Sequence, residues 1–279
     1  MFKRISLLLA LLMIFSVFAV GCGGAETATD TEEPAAEDTS LADIQDKGFF
    51  ILGLDDAFPP MGFRGDSGEI EGFDIDLANA VAERMGVEVQ LQPIDWNAKD
   101  LEMENRNIDV IWNGFTITPE REEAYTFSQP YLANTQAIVV LADSAIDKKA
   151  DLAGKKVGVQ LDSSGQEALE SDTATLESLG ELLKFDTYPT ALLDLKNGTI
   201  DAVVGDVTLI SYLMTKDPGV YKIASENFGE EFYGVGFRKA DVAFAEEVDR
   251  ILNEMIADGT AAEISTKWFG EDIFYNPAK

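Results

Sequence analysis

A short polar stretch that follows an apolar strand holds the side chains best suited to bind a small charged molecule. The apolar segment runs from Ile108 to Trp112, and Gly114-Phe-Thr-Ile-Thr-Pro-Glu-Arg121 comes after it. Ligands of open α/β sheets bind beyond the carboxyl ends of the strands. The Arg121 guanidinium can hold a carboxylate, and the Gly114 carbonyl and the Thr116 hydroxyl can accept from an ammonium. These are the two charged ends of an amino acid, although an exposed salt bridge of Arg121 explains the same residues equally well.

An internal repeat indicates that the chain forms two similar units. Met103-Glu-Asn-Arg-Asn-Ile-Asp-Val-Ile-Trp-Asn-Gly114 aligns without gaps to Leu195-Lys-Asn-Gly-Thr-Ile-Asp-Ala-Val-Val-Gly-Asp206. Each copy predicts a helix end, a turn and a short buried strand. In this alignment Asp206 is equivalent to Gly114, so it is a second candidate for the binding site. The alternative is that Asp206 only caps the next helix. Two facing βαβ lobes are the economical interpretation, and chance similarity of short fragments is the alternative.

The surrounding pattern predicts strands that alternate with helices. Apolar strands are expected at Phe49–Leu54 and Lys156–Gln160. Helical spacing predicts a helix from Asp74, which can cap its start, to Gly86, and a second one over residues 240–258. This alternation predicts an α/β fold with largely parallel sheets.

Charge and composition exclude several functions. The net charge of -30 would repel nucleic acid and anionic lipid surfaces. The chain has no histidine, which removes a Ser-His-Asp triad and a His-based zinc site. Its single cysteine, Cys22, cannot form an intramolecular disulfide. We therefore expect no metal, no cofactor and no nucleic acid partner.

The N-terminus predicts export. Residues 1–4 are basic, residues 5–20 are apolar, and Ala19-Val-Gly-Cys22 follows as a processing site, so residues 1–21 are expected to be a signal peptide. The site resembles a lipobox, which implies a lipoprotein acylated on Cys22, with palmitate-type chains, and anchored at the outer face of the cell membrane. A cleaved secretory peptide with an incidental cysteine is the alternative.

An acidic segment separates this N-terminus from the body of the protein. From Gly23 to Asp46 there are eight acidic residues, and no Lys or Arg occurs before Lys47. Such a composition buries too little apolar surface to offset the entropy of ordering. We expect residues 22–40 to be a disordered tether.

A series of motifs resembles the polar amino acid-binding proteins of ABC importers, the extracellular solute-binding protein family 3. The resemblance runs in order from about Ala42 to the end of the chain. Its motifs are Gly53-Leu-Asp-Asp-Ala-Phe-Pro-Pro-Met-Gly-Phe63, Gly72-Phe-Asp-Ile-Asp-Leu77, the Gly114–Arg121 stretch, Phe127-Ser-Gln-Pro-Tyr131, Asp151-Leu-Ala-Gly-Lys155, Ile200-Asp-Ala-Val-Val-Gly-Asp206 and Lys267-Trp-Phe-Gly270.

The resemblance implies a two-lobed periplasmic-binding-protein-like α/β fold with two hinge crossovers, the type II arrangement. Lobe 1 is then residues 41–133 plus 233–279, and lobe 2 is residues 134–232. The ligand is enclosed between the lobes, and the protein is expected to be a monomer that works with ABC transporter permease subunits.

The resemblance also implies roles for the two ends of a free L-amino acid. Arg121 would bind the α-carboxylate, helped by the backbone around Ser163 and Ser164 at a helix N-terminus. Asp206, with Gly114 and Thr116, would receive the α-ammonium.

Three further residues would contact the ligand's side chain. Phe58 and Trp96 resemble a pair of aromatic walls, and Asp55 resembles the polar residue at the far end. Phe58 can instead pack in the core, and Ser163-Ser164-Gly165 also suits an ordinary turn. Asp55 between aromatic rings favours arginine, lysine or another basic amino acid, and glutamine or cystine fit almost as well.

The function implied is capture of a polar amino acid outside the cytoplasmic membrane and its delivery to an importer, without catalysis. Two alternatives stay open, an amino acid-sensing lipoprotein and an enzyme of the same fold such as a cyclohexadienyl dehydratase. An enzyme would need Asp55 or Asp206 as a general acid. An ionised Asp206 beside an ammonium has little reason to carry a proton.

Overall fold

The computed structural model describes residues 37–275, so the predicted signal peptide, Cys22 and most of the predicted tether lie outside the described residues. The strands are β1 (Phe49–Leu54), β2 (Ala57–Phe58), β3 (Gly62–Arg64), β4 (Ile70–Glu71), β5 (Glu88–Pro93), β6 (Val110–Ile111), β7 (Tyr125–Phe127), β8 (Leu132–Leu141), β9 (Lys156–Gln160), β10 (Glu181–Phe185), β11 (Ala202–Asp206), β12 (Tyr221–Tyr233) and β13 (Gly236–Arg238).

The helices alternate with these strands along much of the chain. They are α1 (Ser40–Lys47), α2 (Phe73–Met85), α3 (Lys99–Glu104), α4 (Pro119–Ala124), α5 (Ser164–Ser171), α6 (Thr173–Ser178), α7 (Tyr188–Lys196), α8 (Val207–Lys216), α9 (Val242–Asp258) and α10 (Thr260–Phe269). Short 3-10 turns lie at Trp96–Ala98 and Lys149–Leu152. In the described part of the chain, no helix is long and apolar enough to cross a bilayer.

The first sheet has the strand order β5-β1-β6-β13-β7, and the second has the order β10-β9-β11-β8-β12. The two strands of the internal repeat, β6 and β11, take the same place in their sheets, next to β1 and β9. Both repeat copies therefore form the predicted strand, although β6 is shorter than the predicted Ile108–Trp112. A third, small sheet joins β2, β3 and β4.

The prediction of largely parallel sheets is only partly right. In the first sheet β1 is parallel to β5 and β6, but β13 is antiparallel to β6 and β7. In the second sheet β9 is parallel to β10 and β11, but β8 is antiparallel to β11 and β12. The βαβ units produce the parallel pairs. The antiparallel strands are those that carry the chain from one sheet to the other.

The described chain passes between the two sheets twice, as the predicted crossovers require. It leaves the first sheet after Phe127 and enters the second at Leu132, and it returns from Tyr233 to Gly236. The incoming and outgoing strands, β8 and β12, pair with each other over most of their length. A β-bridge from Thr116 to Tyr233 joins the polar stretch after β6 to the second crossover.

Burial of one face of the helices against the sheets explains their positions. On α2 the fully buried side chains include Leu77, Ala78 and Val81, which recur at helical spacing. They pack in one core cluster with Leu52 of β1. Burying each large side chain of this kind stabilises the fold by roughly 1.5–3 kcal/mol.

The ordered body begins earlier than the predicted end of the tether at residue 40. Asp38 Oδ2 accepts from the Ala243 backbone N–H at 2.6 Å, and Ser40 Oγ accepts from the Phe244 N–H at 3.2 Å. Both donors lie in the first turn of α9, whose N–H groups have no partner within the helix. Asp38 and Ser40 therefore attach the start of the described chain to α9.

Asp74 does not cap α2 as predicted. The N-cap position belongs to Gly72, with a φ of 155°, and an added Cβ there would lie 2.1 Å from the Met61 carbonyl oxygen. The Asp74 side chain turns inward instead and is fully buried. Gly86 ends the helix with a left-handed φ of 74°, as predicted.

Candidate ligand-binding site

The predicted site residues gather where the carboxyl ends of the parallel strands in the two sheets face each other. Asp55 follows β1, Gly114 follows β6, Ser163 follows β9, and Asp206 is the last residue of β11. These positions agree with the rule for ligand sites in open α/β sheets. A narrow cavity of about 10 Å³ lies between them, lined by Phe58, Trp96, Asn113, Gly114, Arg121, Gln160, Ser163, Ser164 and Asp206.

Arg121 lies at one end of this cavity in a fixed orientation. Its backbone N–H donates to Thr118 Oγ1 at 3.2 Å, which caps α4. The guanidinium carbon lies 4.7 Å from the centre of the Phe115 ring, and Nη1 donates to the Thr116 carbonyl at 3.0 Å. Nη2 donates to the Asp162 carbonyl at 3.4 Å. Backbone contacts and a ring therefore position the guanidinium while some of its donors stay available.

The alternative of an exposed salt bridge does not hold for Arg121. Among residues 37–275 no carboxylate lies within salt-bridge distance of its guanidinium. Burial lowers the pKa of Arg121, and the charges of Glu167, Glu231 and Asp206 act in the opposite direction. Arginine keeps its charge in proteins, so the site presents a partly desolvated cation.

Asp206 lies at the ammonium end of the predicted site and is almost fully buried. It occupies the N-cap position of α8, but its side chain makes no capping hydrogen bond. Its Oδ1 accepts instead from Tyr233 OH and Asn134 Nδ2, both at 2.7 Å, and from Gln136 Nε2 at 3.1 Å. The alternative role as a helix cap is therefore wrong. Burial, followed by the charge of Glu231, raises the pKa of Asp206.

Gly114 is placed by its conformation and by Asp74. Its φ of 56° is left-handed, and a Cβ added there would lie 2.9 Å from Phe58 Cε1 and 3.1 Å from Tyr233 Cε2. The Gly114 N–H donates to Asp74 Oδ2 at 2.7 Å, and Tyr131 OH donates to the same oxygen at 3.0 Å. Burial raises the pKa of Asp74 to about 7. The buried Asp74 thus fixes the backbone at Gly114.

Thr116 links the two halves of the site. Its Oγ1 lies 3.0 Å from Ser164 Oγ and donates to Glu231 Oε1 at 2.9 Å. Thr116 follows the first sheet, whereas Ser164 follows β9 of the second. Thr116 is buried and lies beside the cavity rather than in its lining, where its contact with Ser164 joins the segments that follow the two sheets.

Ser163 and Ser164 form the start of α5, as predicted. Ser163 is the N-cap and accepts from the Gln166 N–H at 3.1 Å, while its hydroxyl donates to the Gln160 carbonyl at 2.8 Å. A Cβ at Gly165 would lie 2.6 Å from Gln136 Oε1, so glycine allows this close approach. The helix N-terminus faces the cavity that Arg121 also lines, and both favour an anion.

Phe58 and Trp96 both line the cavity, and both are also packed against the protein. Phe58 is 6% exposed and lies 6.1 Å from the ring of Tyr188. Trp96 is 8% exposed and meets Phe115 edge-on at 5.8 Å. Each residue offers an apolar wall while it contributes to packing.

Asp55 lies behind the cavity rather than in its lining. Its Oδ2 accepts from Gln160 Nε2 at 2.7 Å, and its Oδ1 accepts from the Ala57 N–H at 2.9 Å. Gln160 Nε2 also donates to the Asp186 carbonyl at 2.9 Å. Both amide protons of Gln160 are thus engaged, and its Oε1 is the group left to face the cavity. Burial raises the pKa of Asp55.

Sequence reasoning missed five polar residues in or beside the site: Asn113, Asn134, Gln136, Gln160 and Glu231. Asn134 and Gln136 alternate on β8, so they share one face of the strand. Gln160 is the polar end of an apolar strand, and this is the same signal that led to Asp206. Glu231 follows Glu230 in a very acidic chain, so nothing in the local sequence marks it. Within the described residues, no cluster of three or more carboxylates or other metal-binding groups could hold a metal ion.

The chain is similar to amino acid-binding proteins over most of its length. It is 33% identical over 240 residues to the L-cystine-binding protein TcyJ of Escherichia coli strain K12. The aligned region covers 85% of this chain and 89% of that protein. A solved structure of an ABC uptake transporter substrate-binding protein from Streptococcus pneumoniae with bound histidine has a TM-score of 0.82 and 36% identity. That match covers 86% of this chain and 99% of the other.

A third similarity bears on the enzyme alternative. The crystal structure of the ancestral amino acid-binding protein AncCDT-1, a precursor of cyclohexadienyl dehydratase, has a TM-score of 0.76 and 31% identity. It covers 82% of this chain and 99% of that chain. Residues 50–271 match the sequence model of a family of bacterial binding proteins. The chain therefore belongs to the bacterial extracellular solute-binding proteins, family 3.

Proposed function

We propose that this protein captures a free polar L-amino acid outside the cytoplasmic membrane and delivers it to the permease subunits of an ABC importer. The observation that carries the proposal is that Arg121 and Asp206, of opposite charge, line one enclosed cavity. A zwitterion brings a carboxylate to the first and an ammonium to the second, through charge-assisted hydrogen bonds. The family, and the amino acids named for its relatives, support the same conclusion.

In this proposal the two sheets are the centres of two lobes that close on the ligand. Lobe 1 comprises residues 41–133 plus 233–279, and lobe 2 comprises residues 134–232. The crossovers near residues 128–131 and 234–235 act as hinges. Contacts such as Thr116–Ser164 form only when the lobes approach. A ligand that bridges Arg121 and Asp206 favours the closed form by its differential affinity, and the permease distinguishes loaded from unloaded protein by shape.

The roles of the site residues follow from their chemistry. Arg121 and the N-terminus of α5, at Ser163 and Ser164, bind the α-carboxylate. Asp206, the Gly114 carbonyl and the Thr116 hydroxyl bind the α-ammonium. Phe58 and Trp96 hold the ligand's side chain between apolar surfaces.

The far end of the ligand's side chain meets Gln160, with Asp55 acting through it. Since Asp55 and the Asp186 carbonyl take both amide protons of Gln160, its Oε1 accepts from the ligand. The ligand therefore carries a hydrogen-bond donor at its end. The nearby charge of Asp55 favours arginine, lysine or ornithine, and glutamine or cystine are the alternative outcomes.

The N-terminal features complete the proposal. Residues 1–21 direct export, Cys22 carries the lipid that anchors the chain to the outer face of the membrane, and residues from 22 onward form the tether. The protein acts as a monomer and uses no cofactor.

An enzyme is the second candidate, and two observations favour it. One is the similarity to AncCDT-1, and the other is the raised pKa of Asp206, which suits a general acid. Without a bound ammonium, Asp206 can therefore carry a proton. It has little reason to carry one only when an ammonium lies beside it. Binding remains the better account, because Asp206 Oδ1 already accepts three hydrogen bonds and the similar proteins are named for the binding of amino acids.

The test is isothermal titration of protein refolded from denaturant, so that any bound ligand is removed. The panel contains the twenty amino acids, ornithine and cystine. Sub-micromolar binding of one polar amino acid, without turnover of prephenate or arogenate, supports the proposal. Turnover of either compound supports the enzyme.

A further inference from the structure

Glu231, on the crossover strand β12, lies beside Asp206, and none of the roles above uses it. Its Oε1 accepts from Asn134 Nδ2 at 2.7 Å and from Gln136 Nε2 at 2.8 Å. The same two amide groups donate to Asp206 Oδ1. Two carboxylates therefore share two neutral donors. Neither carboxylate forms a salt bridge with any Lys or Arg in residues 37–275.

Glu231 also determines the direction of the hydrogen bonds at Thr116. The Thr116 hydroxyl has one proton, and an ionised carboxylate can only accept, so this proton goes to Glu231. Thr116 then has no proton left for Ser164, whose own proton has Thr116 Oγ1 at 3.0 Å and Glu231 Oε1 at 3.4 Å as acceptors. A lone pair of Thr116 Oγ1 remains as an acceptor. Glu231 thereby prepares the Thr116 hydroxyl to receive an ammonium rather than to donate to it.

The charged groups around Asp206 and Glu231 do not balance the negative charge of the two carboxylates. Arg121 and Glu167 are the charged groups that act on this region from α4 and α5, and Arg121 is already assigned to the ligand's carboxylate. Tyr188 and Tyr233 also face Asp206, and burial raises the pKa of both phenols, which keeps them neutral. Burial and then the neighbouring charge of Glu231 raise the pKa of Asp206, which favours a proton on Asp206 when no cation is bound.

We propose that Glu231 is a specificity-determining residue of the ammonium subsite, whose carboxylate beside Asp206 keeps a proton on Asp206 until a cationic ammonium binds and releases that proton. This inference rests on the proposed function. The free pair carries one negative charge and one proton. When the ammonium binds, the proton passes to the solvent and both carboxylates are ionised against the cation. Ligands that lack an α-ammonium, such as α-hydroxy acids, leave the proton in place and bind weakly.

The experiment compares the full-length protein with Glu231→Gln and with the matched control Glu230→Gln. Glu230 is the exposed neighbour, so its variant makes the same change in net charge away from the site. Titration of L-arginine and of L-glutamine near neutral pH, in phosphate and in Tris, gives the number of protons released on binding. The wild type and Glu230→Gln are expected to release a fraction of a proton. Glu231→Gln is expected to release almost none and to bind about tenfold or more weakly.

Two results overturn the inference. One is a Glu231→Gln variant that binds with unchanged affinity and releases as many protons as the wild type. The other is weaker binding with unchanged proton release, which indicates a purely structural role. If neither probe nor any other member of the panel binds, the proposed function fails. The effect of Glu231 on the proton of Asp206 is then tested in the ligand-free protein by carbon-13 titration of the aspartate side chains. The Asp206 midpoint must fall in Glu231→Gln, and an unchanged midpoint contradicts the inference.

Discussion

Gln160 donates its Nε2 to Asp55 Oδ2 over 2.7 Å, and this bond connects the second sheet to the loop that follows β1 of the first. Asp55 therefore orients Gln160 through this hydrogen bond and does not itself line the cavity. It also brings a buried carboxylate to the end of the site where the ligand's side chain is proposed to lie.

Replacement of Asp55 by asparagine tests the class of the ligand. The new amide oxygen can still accept from Gln160, but the substitution removes the charge that favours a cationic side chain. We expect the affinity for L-arginine to fall about tenfold and the affinity for L-glutamine to change little. The control is Asp56→Asn, whose side chain pairs with Arg64 outside the cavity at 2.6 Å. Equal losses for both ligands contradict a charge-based preference.

Replacement of Arg121 by lysine tests the carboxylate end. Lysine keeps the charge but loses the planar donors, the contact with the Phe115 ring and the anchor to the Thr116 carbonyl. We expect titration to show an affinity loss of about a hundredfold, because two charge-assisted hydrogen bonds are lost. Arg64→Lys, at an exposed pair with Asp56, is the control and is expected to bind normally. Binding of Arg121→Lys at wild-type affinity would remove Arg121 from the site.

Replacement of Gly114 by alanine separates backbone strain from steric contact. The new Cβ lies 2.9 Å from Phe58 Cε1, so the aromatic wall must shift. Gly68→Ala is the matched control, because its φ of 84° is also left-handed and nothing lies within 4 Å of the new Cβ. Gly68→Ala is expected to lose about 1–2 kcal/mol of unfolding free energy in urea from its left-handed backbone alone. Gly114→Ala is expected to lose more, because its Cβ also displaces an aromatic ring. Only Gly114→Ala is expected to weaken ligand binding, about tenfold or more, and similar affinities for the two variants speak against the proposed position of the ligand.

The raised pKa of Asp74 leads us to expect that the stability of the protein depends on pH. Its folded-state pKa of about 7 lies above the ordinary value of 3.8, so the folded protein holds a proton that the unfolded chain has lost. The contribution of Asp74 to stability is therefore fully present below about pH 4 and is lost as the pH rises through about 7, by a few kcal/mol at most. Urea unfolding of wild type and Asp74→Asn should show a steeper decline from about pH 5 to about pH 8 in the wild type. Parallel profiles contradict a protonated Asp74.

Local patterns in the sequence predict the elements and several site residues well. β1, β9 and α9 follow from runs and spacings of apolar residues, and the repeat that ends at Gly114 and Asp206 predicts two equivalent strands in separate sheets. Gly114 and Arg121 line the cavity as expected, because both lie in the polar stretch that follows β6.

The residues that sequence reasoning missed depend on contacts between distant segments. Glu231 meets Asn134 only because β12 pairs with β8, and local composition does not specify that pairing. Sequence reasoning assigns Asp55 directly to the ligand because nothing local reveals that Gln160, far along the chain, takes the intermediate position. Asp74 has the residue type and position of a cap, and only the approach of Gly114 and Tyr131 shows why it turns inward.

The most direct test of the central claim is isothermal titration of the refolded wild type against the amino acid panel, repeated with Asp206→Ala and Arg121→Ala. The account predicts sub-micromolar binding of one polar amino acid with one ligand per chain, and no measurable binding in either variant. Failure of every amino acid to bind the wild type, or undiminished binding in both variants, would contradict it.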